Sequence, residues 1–369
     1  MPATGSFATK QDNLWLFCHK FGPGHCDAPD FGLKTKGLGQ LTSGLGRRLP
    51  NQPWYEDCTA FNNPSMFWQK TLAQSLSFAG IGLHSGRQVQ VTIYPAAANH
   101  GLRFCRVDLP GKPQVRAHYS QVVDTTRATT LGDGPATLAT VEHLLSACWG
   151  LGLDNALVLV DGPELPIMDG SAAPFARLLS DTGFRSLPWP RSYLLIQRPV
   201  ELRDGDQWMR ATPGEPRITY SIDFPHPLIR RQRYTMALGS PSFRGEIAPA
   251  RTFGFLREVE YLKDRGLALG GTLDNALVLD DEKVLNPGGL RFPEECVRHK
   301  ILDALGDLAL LGVPLLGRLE VNRGSHALHH RFLMELMARE SAWRLWVPSP
   351  PREKRSPFLQ APLWQGAPA

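Results

Sequence analysis

The sequence predicts a layered α/β protein (α+β in plan) made of two similar sheet-and-helix domains. Three observations predict it. Short strand-like runs, Val89 to Tyr94 and Ala156 to Val160, alternate with helix-period segments. Pro188-Trp189-Pro190 breaks the patterned chain near its middle. The run Leu153-Asp154-Asn155-Ala156-Leu157-Val158-Leu159 recurs as Leu273-Asp274-Asn275-Ala276-Leu277-Val278-Leu279, each time behind a helix containing Val-Glu-x-Leu, Val141 to Leu144 and Val259 to Leu262. A helix, turn and strand are thus written twice, which points to a duplicated unit, although two similar turns can also converge on one sequence. The expected division is a poorly ordered extension over 1–65, a first domain over 66–190, a second over 191–345 and a Pro-rich tail over 346–369.

The bulk composition is that of a globular chain: 369 residues, 42% hydrophobic and 20% charged, long enough for two cores. The net charge is +5 without any run of five or more Lys/Arg, which suits an anionic small molecule better than a nucleic-acid track. Six scattered cysteines do not make a disulfide framework, so reduced thiols and a cytoplasmic location are expected. No segment approaches the ~18 apolar residues of a transmembrane helix. In the extension, Cys18-His19 and His25-Cys26 lack a CxxC spacing and read as chance, while Asp12, Asp27 and Asp30 argue against an acid-poor transit peptide.

Two helices carry the chemistry. In the first, Val141, Leu144, Leu145 and Cys148 recur at i, i+3, i+4 and i+7, with Thr140 as N-cap and Gly150 as stop. Glu142 and His143 then sit in its first turn, off the apolar stripe. In the second, Val297, Ile301, Leu305 and Leu308 form the stripe and His299, Asp303 and Asp307 lie opposite. A His and a carboxylate four residues apart share one helix face, so one cation can bridge them. His143 supplies a third ligand, and three protein ligands with one open position is how catalytic zinc is held. The plain alternative is an i,i+4 ion pair on a solvated face.

These residues belong to a longer series: Gly82-Leu83-His84-Ser85-Gly86, Thr140 to His143, Pro166-Ile167-Met168-Asp169-Gly170-Ser171-Ala172, Ala250-Arg251-Thr252-Phe253-Gly254-Phe255, and Val297-Arg298-His299-Lys300 through Asp307. In this order, from about Met66 to Ala338, the chain resembles the zinc-dependent UDP-3-O-acyl-N-acetylglucosamine deacetylases of lipid A biosynthesis. The resemblance implies Zn²⁺ on His143, His299 and Asp303 at the interface of the two domains, and hydrolysis of an acetamide on a UDP-sugar with a 3-O-linked acyl chain. It implies Glu142 as general base; a favourable charge at a helix N-terminus is the alternative. It makes His326, in Arg323-Gly324-Ser325-His326-Ala327, a protonated catalytic imidazole, charged and oriented by Asp307. The family places Gly directly before this His, whereas here Gly324-Ser325 precedes it, which puts the loop geometry in question.

Thr252 matches a hydroxyl that helps hold the oxyanion, Phe253 an apolar sugar contact and Lys300 a cationic substrate contact. Their alternatives are a strand hydroxyl, a core aromatic and a surface lysine. Leu256, Val259, Ala268, Leu269, Leu273, Ala276 and Val278 match an insert whose apolar passage holds the acyl chain; an ordinary amphipathic helix is the alternative. Two rival functions are a zinc peptidase, for which a His-Glu-x-x-His helix is lacking, and a non-enzymatic relative, which every retained acid, base and ligand position argues against. A monomer is expected.

Overall fold

The computed structural model describes residues 67–238 and 242–348, all within one compact unit. The Cys-His pairs of the extension lie outside them. Alternating burial builds the first sheet from Leu76–Ile81 (β1), Gln88–Pro95 (β2), Leu102–Arg106 (β3), Gln114–Arg116 (β4) and Ala156–Val160 (β5). In β2, Val89, Val91 and Ile93 are buried while Gln88, Gln90 and Tyr94 face out, the two-residue period of a sheet with one covered face. The order is β1-β2-β5-β3-β4, antiparallel except that β5 runs parallel to β3.

A second sheet repeats this plan. Val200–Asp204 (β6), Gln207–Thr212 (β7), Arg217–Phe224 (β8), Arg230–Ala237 (β9) and, beyond Phe253–Phe255 (β10) and Leu277–Leu279 (β11), Arg318–Asn322 (β12) assemble it. Its order is β6-β7-β12-β8-β9, again antiparallel except for the central pair, β12 with β8. Helices flank each central strand in the chain: Glu142–Leu151 (α1) and Ala173–Thr182 (α2) around β5, then, after Leu256–Lys263 (α3), Glu295–Leu308 (α4) and His326–Ala338 (α5) around β12. The layered α/β class and the duplication are therefore present.

The duplicated partner is not the one the repeated heptapeptide indicates. β5 corresponds to β12, whereas the second copy of the heptapeptide ends in β11, which pairs in parallel with β10 in a separate two-stranded sheet. The shared Asn is used differently in the two copies: the Asn155 amide ties its segment to distant chain, accepting from Gly101 N and donating to Gln69 Oε1 at 3.0 Å each, whereas Asn275 braces its own turn, donating to Gly270 O at 2.9 Å.

Helix α1 also differs from its expected ends. Thr140 is not its N-cap: Val141 holds that position with no side-chain bond, and Thr140, at φ 57°, donates its hydroxyl to Glu164 Oε1 at 2.9 Å. A β-branched residue in the left-handed region is strained and persists only where its surroundings hold it. Gly150 is not the stop either. It lies inside the helix because the Phe243 ring fills the place of a Cβ, and the left-handed Gly152 (φ 69°) ends the helix instead. At the far end, Trp343–Trp346 is the last strand among the described residues.

The two halves meet where α1 runs against α4, while α4 covers β8 and β9 and α5 covers β6 and β7. Contact on several sides buries nearly all of α4, including His299, Asp303 and Asp307. These three polar groups therefore need partners inside the protein.

Candidate active site

His143 on α1 and His299 and Asp303 on α4 are 3%, 3% and 4% exposed. Their ligand atoms all lie within 4.8 Å of one another. Asp303 Oδ1 stands 3.2 Å from His299 Nε2 and 3.8 Å from His143 Nε2. His299 Nδ1 is 3.0 Å from Ala250 O, to which it donates, so the proton sits on Nδ1 and the Nε2 lone pair faces the carboxylate. Burial, then the neighbouring His299, depresses His143 to about 3, and burial also lowers His299, so both imidazoles are neutral. Burial works against the Asp303 anion, yet His299, Lys300 and His326 hold its carboxyl well below the usual range. Two neutral nitrogens and one carboxylate facing a common point, with His143 Nδ1 left without a partner among the described residues, are a donor set that fits zinc.

The acid–base groups adjoin this point. His326 heads α5, and its Nε2 lies 3.8 Å from Glu142 Oε1 and 4.0 Å from Asp303 Oδ2. Its Nδ1 bonds Asp307 Oδ2 at 2.8 Å. Burial opposes the imidazolium, but the Asp307 charge and hydrogen bond, then Glu142 and Asp303, outweigh it and raise His326 to about 9. Glu142 is raised to about 7, first by burial and further by Asp307 and Asp303, with His326 opposing. Two adjacent groups thus titrate near and above neutrality, Glu142 about 7 as the base and His326 about 9 as the acid.

Sequence reasoning missed the residues that hold these groups. His329, three positions after His326, donates Nδ1–H to Asp307 Oδ2 at 2.8 Å and receives the Tyr220 hydroxyl on Nε2 at 3.1 Å. The helical i,i+3 spacing was a usable signal for it. Asp307, His326 and His329 form a second cluster of metal-ligand types, but both Nδ1 atoms are already spent on one carboxylate oxygen. Thr129 touches Glu142, Asp307 and His326 together, and no spacing announced it. Glu295, fully buried, grips Arg251 through backbone and guanidinium at 2.8–3.1 Å, which fixes the loop presenting Ala250 O.

The loop before His326 resolves the Gly324-Ser325 question. A Cβ on Gly324 would fall on the Tyr220 hydroxyl and stand 2.9 Å from His329 Nε2, so glycine is needed there. Ser325 is the N-cap of α5, its extended backbone leading into the helix and its hydroxyl accepting from Leu328 N at 3.3 Å.

Of the other candidates, Thr252 sits at the mouth of the motif strand, its backbone bonded to Gly170 O and Leu277 N at 2.7 Å each. The Phe253 ring meets His299 edge-on at 6.3 Å and Phe224 at 5.6 Å. Lys300 is not a free surface lysine: its ammonium bonds Asp303 Oδ2 at 2.7 Å. The insert is pinned to the first half, with Leu269 N on His84 O and Gly270 N on Leu83 O. None of α3 is buried, and Leu256, Leu269 and Leu273 are 48%, 52% and 43% exposed, while Val259, Ala268 and Ala276 are half-buried.

Residues 69–338 match the family described as LpxC, UDP-3-O-acyl N-acetylglycosamine deacetylase. The chain is 45% identical to the UDP-3-O-acyl-N-acetylglucosamine deacetylase of Geotalea uraniireducens over 79% of this chain and 96% of that one. It is 47% identical to that of Myxococcus xanthus, covering 79% and 92%, and 46% identical to that of Acidithiobacillus ferrooxidans, covering 79% and 96%. The chain belongs to the LpxC family. As a member it is a zinc-dependent hydrolase, the UDP-3-O-acyl-N-acetylglucosamine deacetylase of lipid A biosynthesis. LpxC enzymes are cytoplasmic, and no described helix is long and apolar enough to cross a membrane.

Proposed function

We propose that this enzyme divides its reaction among the residues above, with His143, His299 and Asp303 as the zinc ligands. Zinc held there supplies Lewis acidity toward water and the amide oxygen. Glu142 takes a proton from the water that adds to the acetamide carbon. Thr252, with His326, offers hydrogen bonds to the oxygen that gains charge. His326 passes a proton to the amine nitrogen as the C–N bond breaks, leaving acetate and the free amine. Asp307 keeps His326 protonated until that moment. The observation that carries this reading is the pairing of Glu142 Oε1 and His326 Nε2 across 3.8 Å beside Asp303, a base and an acid bordering one metal-ligand set.

The substrate's two ends have separate supports. Phe253 flanks the site beside His299, and Leu256, Val259, Ala268 and Ala276 with the other insert residues offer the acyl chain an apolar path, at about 0.8 kcal/mol per buried CH₂. Lys300 acts through Asp303 more directly than through the substrate. A cleft of about 270 Å³ is lined by Arg203, Arg231 and Arg323 together with Asp206, Asp223, Trp208, Ile222 and Asn322; its three guanidinium groups are candidate partners for the diphosphate, with the Asp206 and Asp223 carboxylates beside them. We read residues 66–190 and 191–345 as two domains, and the enzyme as a monomer.

Acetate release from the UDP-sugar with and without its 3-O-acyl chain tests the insert. A loss of several orders in kcat/KM without the chain is expected, and equal rates would remove the insert from the substrate site.

A further inference from the structure

Thr129 is 2% exposed and immediately precedes the strand Thr130–Asp133, far in sequence from both groups it touches in the second half. Its backbone N–H donates to Glu142 Oε2 at 3.1 Å. Its hydroxyl donates to Asp307 Oδ1 at 2.5 Å and also lies 3.1 Å from His326 Nδ1. The single hydroxyl proton goes to the carboxylate, which can only accept, so the hydroxyl oxygen is left to face the imidazolium N–H. A carboxylate turns easily about its last torsion. Thr129 removes that freedom twice: with Glu142 Oε2 held, Oε1 faces His326, and with Asp307 Oδ1 held, Oδ2 receives His326 and His329.

We propose that Thr129 is a positioning residue that locks the base and the partner of the acid into one arrangement. This rests on the roles proposed above for Glu142 and His326. The contribution is pre-organisation, which raises turnover with little change in substrate binding, and it acts through the hydroxyl on Asp307 and through the backbone on Glu142.

The test compares Thr129→Val, which keeps shape and backbone N–H but removes the hydroxyl, with Thr129→Ser, which keeps the hydroxyl. In Thr129→Val kcat should fall about 10- to 100-fold, as for other groups that orient a catalytic side chain, with KM and zinc stoichiometry within about twofold of native. Thr129→Ser should recover most of the loss. A double-mutant cycle with Asp307→Asn should be strongly non-additive, because the valine has little left to remove once Asp307 is neutral.

Native kcat in Thr129→Val, an equally poor serine variant, or additive losses would each overturn the proposal. Should the valine variant fail to fold, Thr129→Ala provides the same comparison with serine. If instead Glu142→Gln and Asp307→Asn retain full turnover by themselves, the acid–base reading fails and not the role of Thr129 alone.

Discussion

Gly306 on α4 lies against the backbone of Glu142 on α1. A Cβ built on Gly306 would fall on the Glu142 carbonyl oxygen and stand 2.7 Å from its carbon and 2.8 Å from its Cα. This contact lets the helix bearing Glu142 and His143 come close enough for His143 to join His299 and Asp303.

Gly306→Ala should therefore cost more than its favourable helix propensity returns. Overpacking against backbone costs about 1–3 kcal/mol, since the helices must separate. Thermal unfolding should show a lower Tm, and competition with a chelator should show weaker zinc binding. Unchanged zinc affinity would mean that the helix spacing is set elsewhere.

His143→Ala and His299→Ala should each lose stoichiometric zinc and activity while retaining native secondary structure. Metal analysis beside circular dichroism checks both. Full zinc occupancy in either variant would refute the ligand assignment.

Glu142→Gln should keep zinc and lose about 10²- to 10⁴-fold in turnover, the span of general-base contributions. It should also change the metal-free protein. Burial raises the Glu142 carboxyl from its ordinary 4.5 to about 7 in the fold. Between those values the native state holds a proton that the unfolded state has released, so stability falls as pH rises through that window. Metal-free wild type should lose stability across it relative to Glu142→Gln in denaturant titrations. Parallel curves for the two proteins would contradict the buried carboxyl.

Asp307→Asn should move the basic limb of kcat/KM to lower pH. The acid works while His326 is protonated, and it is chiefly the Asp307 charge and hydrogen bond that lift it to about 9 against burial. Asparagine keeps a hydrogen-bonding group but removes the charge, so His326 loses its proton at lower pH. An unmoved limb would show that His326 is not the proton donor, or that Asp307 is only structural.

The local part of this site was legible in the sequence. His299, Asp303 and Asp307 share a helix face by spacing alone, and Glu142-His143 falls in the first turn of another helix, because helical geometry fixes neighbours three and four residues apart whatever lies around them. The alternation along β2 and β5 was equally readable. The ends of α1 were not, since Thr140 is held by Glu164 from a distant loop and Gly150 answers to the Phe243 ring. Nor was the duplicated half: the second copy of the repeated heptapeptide ends in β11, in a separate sheet, while the true counterparts β5 and β12 share a place in a sheet without sharing a sequence.

Tertiary structure alone decided which groups meet. The sequence determines the chemistry available on each helix, but Thr129, Asp307 and His326 converge only through the packing of the two halves, and the charges each group carries follow from that burial. Side-chain periodicity is a property of one element. The distances and the dielectric between elements are set by long-range packing, on which local sequence patterns carry no information.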